Sequence, residues 1–236
     1  MSDNQAADPF VRPRLPDAVV RGRVIAVLRS HDPVQLDVVV DVLVEEGFKA
    51  IELALTTPDA ITRLGRLKQR LGSEVSIGAG TVTTPDRAAA AIDAGATFLL
   101  APTVAADACE LATAQGVPFV PGALTPTEAL AGWEGGAAAI KLFPANLLRP
   151  DVVPALRAPM PDLQFIPTGG IDATEALRWL SNGCVAVGVG RPLVGDALEG
   201  GDLTALRSRS RTLLDLVSHP SSAVHDSATR TSGTPE

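Results

Sequence analysis

The chain has 236 residues, which suits one barrel-sized domain or two small ones. Hydrophobic residues make up 46% and charged residues 20%, so a sizeable core can be buried; with no Tyr and 3% aromatics, Ala, Val, Leu and Ile must build it. A net charge of −7, without a long basic run, argues against a nucleic-acid groove, and no apolar run reaches the roughly 18 residues a membrane helix needs.

The first residues lack the charged-then-apolar pattern of a secretory leader, which predicts a cytoplasmic protein. Residues 1–15 read as an N-terminal tail. Residues 219–236, rich in Ser, Thr, Pro and Ala, read as a disordered C-terminal tail. Between them, residues 16–218 alternate regularly. Short β-rich runs recur at 24–28, 49–55, 75–79, 97–101, 117–120, 138–143, 164–168 and 184–189, each followed by a helical pattern. Asp32-Pro33, Thr57-Pro58, Thr84-Pro85 and Thr125-Pro126 each offer a capping oxygen ahead of a proline at the first helical position. Thr125 with Glu128, and Asp172 with Glu175, have capping-box spacing. Gly47, Gly72, Gly95, Gly116 and Gly183 each close a helical run. The repeat is therefore one strand plus one helix. Eight such units, with strands apolar on both faces, predict a parallel (β/α)8 TIM barrel; an open doubly wound sheet is the alternative. In a barrel, chemistry sits where strands end and the following loops begin.

Three lysines occur in the chain. Lys49 opens a strand, at the wrong end for a barrel site, and Lys68 lies in the charged run RLGRLKQR. Lys141 sits inside the apolar run AAIKLFPA, near the strand's C-terminal end. Burying an ammonium is expensive, and the neutral amine is the form that attacks a carbonyl. A structural pair with a carboxylate is the competing reading. Glu52, in AIELAL, shares a strand face with Ala54, while Ile51 and Leu53 take the other face. The small partner suggests the barrel interior, where Glu52 is either a general acid/base beside Lys141 or its structural partner. Arg29 ends the first run and is a candidate for binding a substrate carboxylate. Thr56, Thr81 and Thr168 follow strand ends, where capping competes with substrate contact. Thr168-Gly169-Gly170 and Gly188-Val189-Gly190 follow the last two runs, the usual place for a phosphate in a barrel. Cys109 and Cys184 lack metal-type pairing and read as free core thiols; His31, His219 and His225 do not cluster at strand ends, so no metal is expected.

Arg29, IELALTTP (51–58), GAGT (78–81), PGALTPTE (121–128), IKLFPA (140–145), PTGG (167–170) and VGVG (187–190) together resemble the 2-keto-3-deoxy-6-phosphogluconate / 4-hydroxy-2-oxoglutarate aldolases, in order, from about residue 20 to 216. The resemblance implies a class I aldolase that cleaves a 2-keto-3-deoxy-6-phospho sugar acid to pyruvate and glyceraldehyde 3-phosphate, without metal or other cofactor, as a homotrimer. It assigns Lys141 as the Schiff-base lysine and Glu52 as the general acid/base. Thr81 becomes a pyruvate-carboxylate contact, and Thr168, Gly169 and Gly170 the phosphate-side loop. Two positions depart from the pattern. Some members carry arginine where this chain has Thr56; others have it at the end of the first strand, as Arg29 here, which then supplies the carboxylate-binding charge. A serine common after the last glycine pair is replaced by Arg191, which follows Gly190 and either binds phosphate or turns outward. The remaining readings are an aldolase for the galactonate epimer or for 4-hydroxy-2-oxoglutarate, and a non-catalytic sugar-phosphate-binding barrel.

Overall fold

The computed structural model describes residues 12–218. The stretches 1–11 and 219–236, which contain most of the two expected tails, lie outside the described residues. Arg12, within the stretch read as an N-terminal tail, stacks 4.0 Å over the Trp133 ring and donates to the carbonyls of Trp133 and Ala137.

All strand pairings are parallel. Strands β1 (Val24–Leu28), β2 (Ala50–Ala54), β3 (Ser76–Gly80), β4 (Leu99–Leu100), β5 (Phe119–Val120) and β8 (Val187–Val189) form one sheet in the order β5-β4-β3-β2-β1-β8. Strands β6 (Gly122–Ala123) and β7 (Lys141–Leu142) form a second pair. The expected run 164–168 does not form a ladder strand. It contributes isolated parallel bridges, Phe165 to Ile140 and Thr168 to Gly188. Proline explains both interruptions, because it has no N–H to give a ladder. Pro121 separates β5 from β6, and its carbonyl accepts from Lys141 N at 2.8 Å; Pro167 sits within 164–168, and its carbonyl accepts from Gly188 N at 2.9 Å.

Apart from the first, the helices, which include α5 (Ala106–Ala114) and α7 (Val152–Arg157), cover one face of the sheet. α2 (Pro33–Glu45), α4 (Pro85–Asp93) and α6 (Pro126–Glu134) begin as their sequences imply: the side chains of Asp32, Thr84 and Thr125 accept backbone N–H groups of the first turn, and proline takes an early helical position. Thr125 and Glu128 complete a capping box. Two expected caps differ. Helix α3 (Ala60–Leu71) starts two residues beyond Pro58, with Asp59 at the cap, because the Thr57 hydroxyl is taken inward by Ser30 N at 3.3 Å. In α8 (Ala173–Ser181) Asp172 caps, but the Glu175 carboxylate pairs with Arg178 at 2.8 Å instead of closing a capping box. The five helix-closing glycines all have positive φ, between 60° and 110°.

Two apolar clusters result. The larger lies between strands and helices and contains Ile51 and Leu53 of β2 with Leu36, Val39, Leu43, Leu64 and Leu67. The smaller fills the concave face of the sheet with Ile25, Ala50, Phe98, Leu100, Val120, Ala139, Ile166 and Ala186, closed by Val19 from α1 (Asp17–Gly22) and by Leu15. The period of two therefore places Glu52 on the face of Ala50, Lys141 on that of Ala139 and Thr168 on that of Ile166. All three polar groups stand on the concave face, one step beyond its apolar floor toward the C-terminal strand ends.

Candidate active site

Glu52 and Lys141 are 2% and 5% exposed, and Lys141 Nζ lies 3.4 Å from Glu52 Oε1. They reach each other from strands 89 positions apart in sequence. A buried pair of this kind is poor evidence of stabilisation, since desolvating both charges offsets most of their attraction. It also leaves work undone: Glu52 Oε2 is buried with no hydrogen-bond partner among the described residues, and so is Thr168 Oγ1. Lys141 Nζ further lies 5.5 Å from the centroid of the Phe143 ring.

The glycines of GAGT have a steric reason. In the β2–β3 register Glu52 stands opposite Gly78, and Ala54 opposite Gly80. A Cβ at Gly80 would fall 1.9 Å from Glu52 Oε1, so the carboxylate occupies the space a side chain there would need. A Cβ at Gly188 would likewise fall 2.4 Å from Thr168 Oγ1. Directly after β3, Thr81 has φ 64°, an unfavourable conformation for a β-branched residue. Strain of this kind, about 1–3 kcal/mol, persists where the surroundings over-determine the backbone.

A cavity of about 990 Å³ opens over the pair. Lys141, Glu52, Arg29, Thr81, Thr168, Gly169, Gly170, Gly190 and Arg191 all line it, as the sequence anticipates. Thr56 does not; it is exposed on the turn after β2, while its neighbour Thr57 is the buried one, locked to Ser30. The chain beyond β8 supplies a wall that sequence reasoning missed: α9 (Arg191–Val194), Gly195, Asp196 and the turn Ala197–Glu199, with Pro192, Val194, Gly195, Asp196, Leu198 and Glu199 reaching the cavity. No residue type in that segment signals chemistry by itself. Val27, Pro102 and Phe143 complete the lining. The mouth carries mixed charge. Arg29 is exposed, and Arg191, 81% exposed, lies 3.8 Å from Glu199.

Outside the cavity, burial pushes the Cys109 thiol up to about 11 and the Cys184 thiol to about 12, so neither is primed as a nucleophile. Among the described residues no group of three or more His, Cys, Asp or Glu side chains could hold a metal ion. His31 is exposed, and His219 and His225 lie outside the described residues. No helix among the described residues is long and apolar enough to cross a membrane.

Residues 16–208 match the family model of the KDPG and KHG aldolases. The chain belongs to that family. It is 34% identical over 191 residues to a probable 2-dehydro-3-deoxy-6-phosphogalactonate aldolase of Rhizobium meliloti, covering 80% of this chain and 90% of the relative. A 2-dehydro-3-deoxy-phosphogluconate aldolase of Pseudomonas aeruginosa is 30% identical over 195 residues, covering 82% and 88%. Among solved structures, the KDPG aldolase of Legionella pneumophila, with pyruvate captured as a covalent carbinolamine intermediate, superposes with a TM-score of 0.76 at 25% identity, covering 83% of this chain and 96% of that one. The chain is thus an aldolase, a lyase of the α/β class, and the resemblance carried by its motifs is borne out.

Proposed function

We propose that this enzyme cleaves 2-keto-3-deoxy-6-phosphogluconate to pyruvate and glyceraldehyde 3-phosphate, with Lys141 as the Schiff-base nucleophile and Glu52 as the general acid/base. The observation that carries this reading is the buried Lys141–Glu52 contact of 3.4 Å at the floor of the cavity. The neutral Lys141 amine attacks the C2 ketone. Glu52 moves protons as the carbinolamine loses water and the protonated imine forms. That imine is the electron sink: Glu52 takes the C4 hydroxyl proton, the C3–C4 bond breaks, and glyceraldehyde 3-phosphate leaves. The enamine regains a proton at C3, and water releases pyruvate from Lys141. Arg29 and Thr81 bind the C1 carboxylate, beside the C2 ketone. Thr168, Gly169, Gly170, Gly190 and Arg191 receive the distal half, and Thr56 is too exposed to be given a role.

The galactonate epimer is the second reading, favoured by the 34% identity to the Rhizobium meliloti protein. The non-phosphorylated 4-hydroxy-2-oxoglutarate is the third substrate of this class. A coupled assay of pyruvate release from all three acids tests the proposal. It predicts fastest release from the phosphogluconate acid; preference for another acid reassigns the substrate, and no pyruvate from any of them overturns the reading.

We further infer an eight-stranded closed barrel. The bridges of 164–168 to Ile140, just before β7, and to β8 support it, because they join the two sheets on that side, and the chain runs directly from β5 to β6 on the other. A cytoplasmic homotrimer completes the proposal; light scattering should then give about three times the chain mass of 24.3 kDa.

A further inference from the structure

The distal wall of the cavity is thin. Residues 190–199 leave β8, make the single helical turn α9, and return through Gly195 and Asp196 to the turn at Ala197–Glu199. One side faces the active cavity. Behind it lies a second recess of about 270 Å³, lined by Pro192 and Leu193 from the wall and by Ser208, Arg209 and Leu213 from helix α10 (Leu203–Ser218). Over part of its length the wall therefore stands between two cavities, and its position is set by the packing of Leu193, Val194, Ala197 and Leu198 into the core together with the bonds that cross behind it.

Arg209 makes those bonds. Half-buried on α10, it donates from Nε to the Leu193 carbonyl at 2.6 Å and from Nη2 to the Val194 carbonyl at 3.0 Å. These carbonyls end a helix too short to satisfy them itself, and a guanidinium is a rigid fork that can hold two acceptors at fixed spacing. The chain is shaped for this approach at Gly195, whose φ of 59° and bare Cα let the guanidinium close in: a Cβ there would lie 2.6 Å from Arg209 Nη2. The far end of the wall is held differently, by the Gly201 N–H donating to the Asp196 carbonyl at 3.0 Å, by Ser30 Oγ donating to the Leu198 carbonyl at 3.5 Å and by burial of Ala197 and Leu198.

We propose that Arg209 is a positioning residue for substrate recognition: from outside the cavity it fixes the 190–199 wall where the distal half of the substrate must fit. This rests on the aldolase reading above. Arg209 touches neither Lys141 nor Glu52, so the near end, where pyruvate is bound, should not sense its loss.

The test compares wild-type enzyme with Arg209→Lys, Arg209→Met and Gly195→Ala, the last crowding the same contact from the other side. Steady-state kinetics on the six-carbon phosphorylated acid and on 4-hydroxy-2-oxoglutarate are measured with thermal unfolding and with borohydride trapping of pyruvate. For Arg209→Met, KM for the longer substrate should rise about tenfold, a typical result of loosening a positioned group. Its kcat should change less than about twofold, and pyruvate trapping should proceed at the wild-type rate. Arg209→Lys should fall between, because it keeps the charge but not the fork. Gly195→Ala should reproduce the KM rise. A purely structural role predicts something else: lower melting temperature with kcat and KM altered alike for both substrates, or no kinetic change at all. Either result in an active enzyme overturns the proposal and leaves the aldolase reading standing, whereas a wild-type enzyme inactive on every acid overturns both.

Discussion

The two ends of the cavity are built differently. At the floor, Glu52 and Lys141 rise from β2 and β7, are almost fully buried, and are framed by positions where a glycine clears the space. At the mouth, Arg29 and Arg191 are exposed, and the wall at 190–199 is an irregular segment held from behind by Arg209. Strands place a side chain within a fraction of an ångström, and the covalent step needs that precision. A loop wall can vary in sequence and spacing without disturbing the floor. In the proposed cycle the chemistry common to the family belongs to the floor, and the choice among keto acids belongs to the mouth.

Substitutions at the floor should have the larger effects. Glu52→Gln keeps the size and removes proton transfer, so turnover should fall by about 10²–10⁴ while circular dichroism shows an intact fold. Near wild-type turnover would make Glu52 a structural partner of Lys141 only. Gly80→Ala tests whether the carboxylate's position matters as much as its presence. The new methyl would occupy the place of Glu52 Oε1, and kcat should drop about 10²-fold with Glu52 still in the chain. Unchanged kinetics would show that the carboxylate can move without consequence.

Toward the mouth the effects should shrink and shift from kcat to KM. Thr81→Gly relieves a positive φ and removes a hydroxyl from the carboxylate end. Chemical denaturation should show stability held or raised by about 1 kcal/mol, while KM rises for every substrate; a loss of stability with KM unmoved would mean that Thr81 supports the fold. Arg191→Ser should be the mildest. With its side chain 81% exposed and 3.8 Å from Glu199, its loss should raise KM for a phosphorylated acid by about two- to fivefold and leave 4-hydroxy-2-oxoglutarate untouched. Equal effects on both acids, or none, would remove Arg191 from phosphate recognition.

The same division explains what the sequence made legible. Period-two alternation in AIELAL turned Glu52 to the face of Ala54, the apolar run AAIKLFPA singled out Lys141 as its candidate partner, and the structure puts the two in contact. Capping residues marked the turns into α2, α4, α6 and α8, and the closing glycines marked turns from helix back to strand. Prolines blurred the strands: Pro121 ends the expected run 117–120 and hides the short β6 that follows it, and Pro167 reduces 164–168 to bridges, because pattern matching sees apolar side chains and not the missing N–H. At Thr56-Thr57 two like residues compete, and burial of one against Ser30 is a tertiary choice that no local pattern records. The wall beyond Arg191 was illegible for a related reason. Its lining residues are ordinary types, and what places them is an arginine from the last helix.

The claim beneath this account is that Lys141 forms the covalent bond, and reductive trapping tests it directly. Borohydride added to the intact enzyme with pyruvate should leave one adduct per chain, located by peptide mass spectrometry on Lys141. The Lys141→Met variant should take up none. An adduct on Lys49 or Lys68, or no adduct in an enzyme that releases pyruvate, would contradict it.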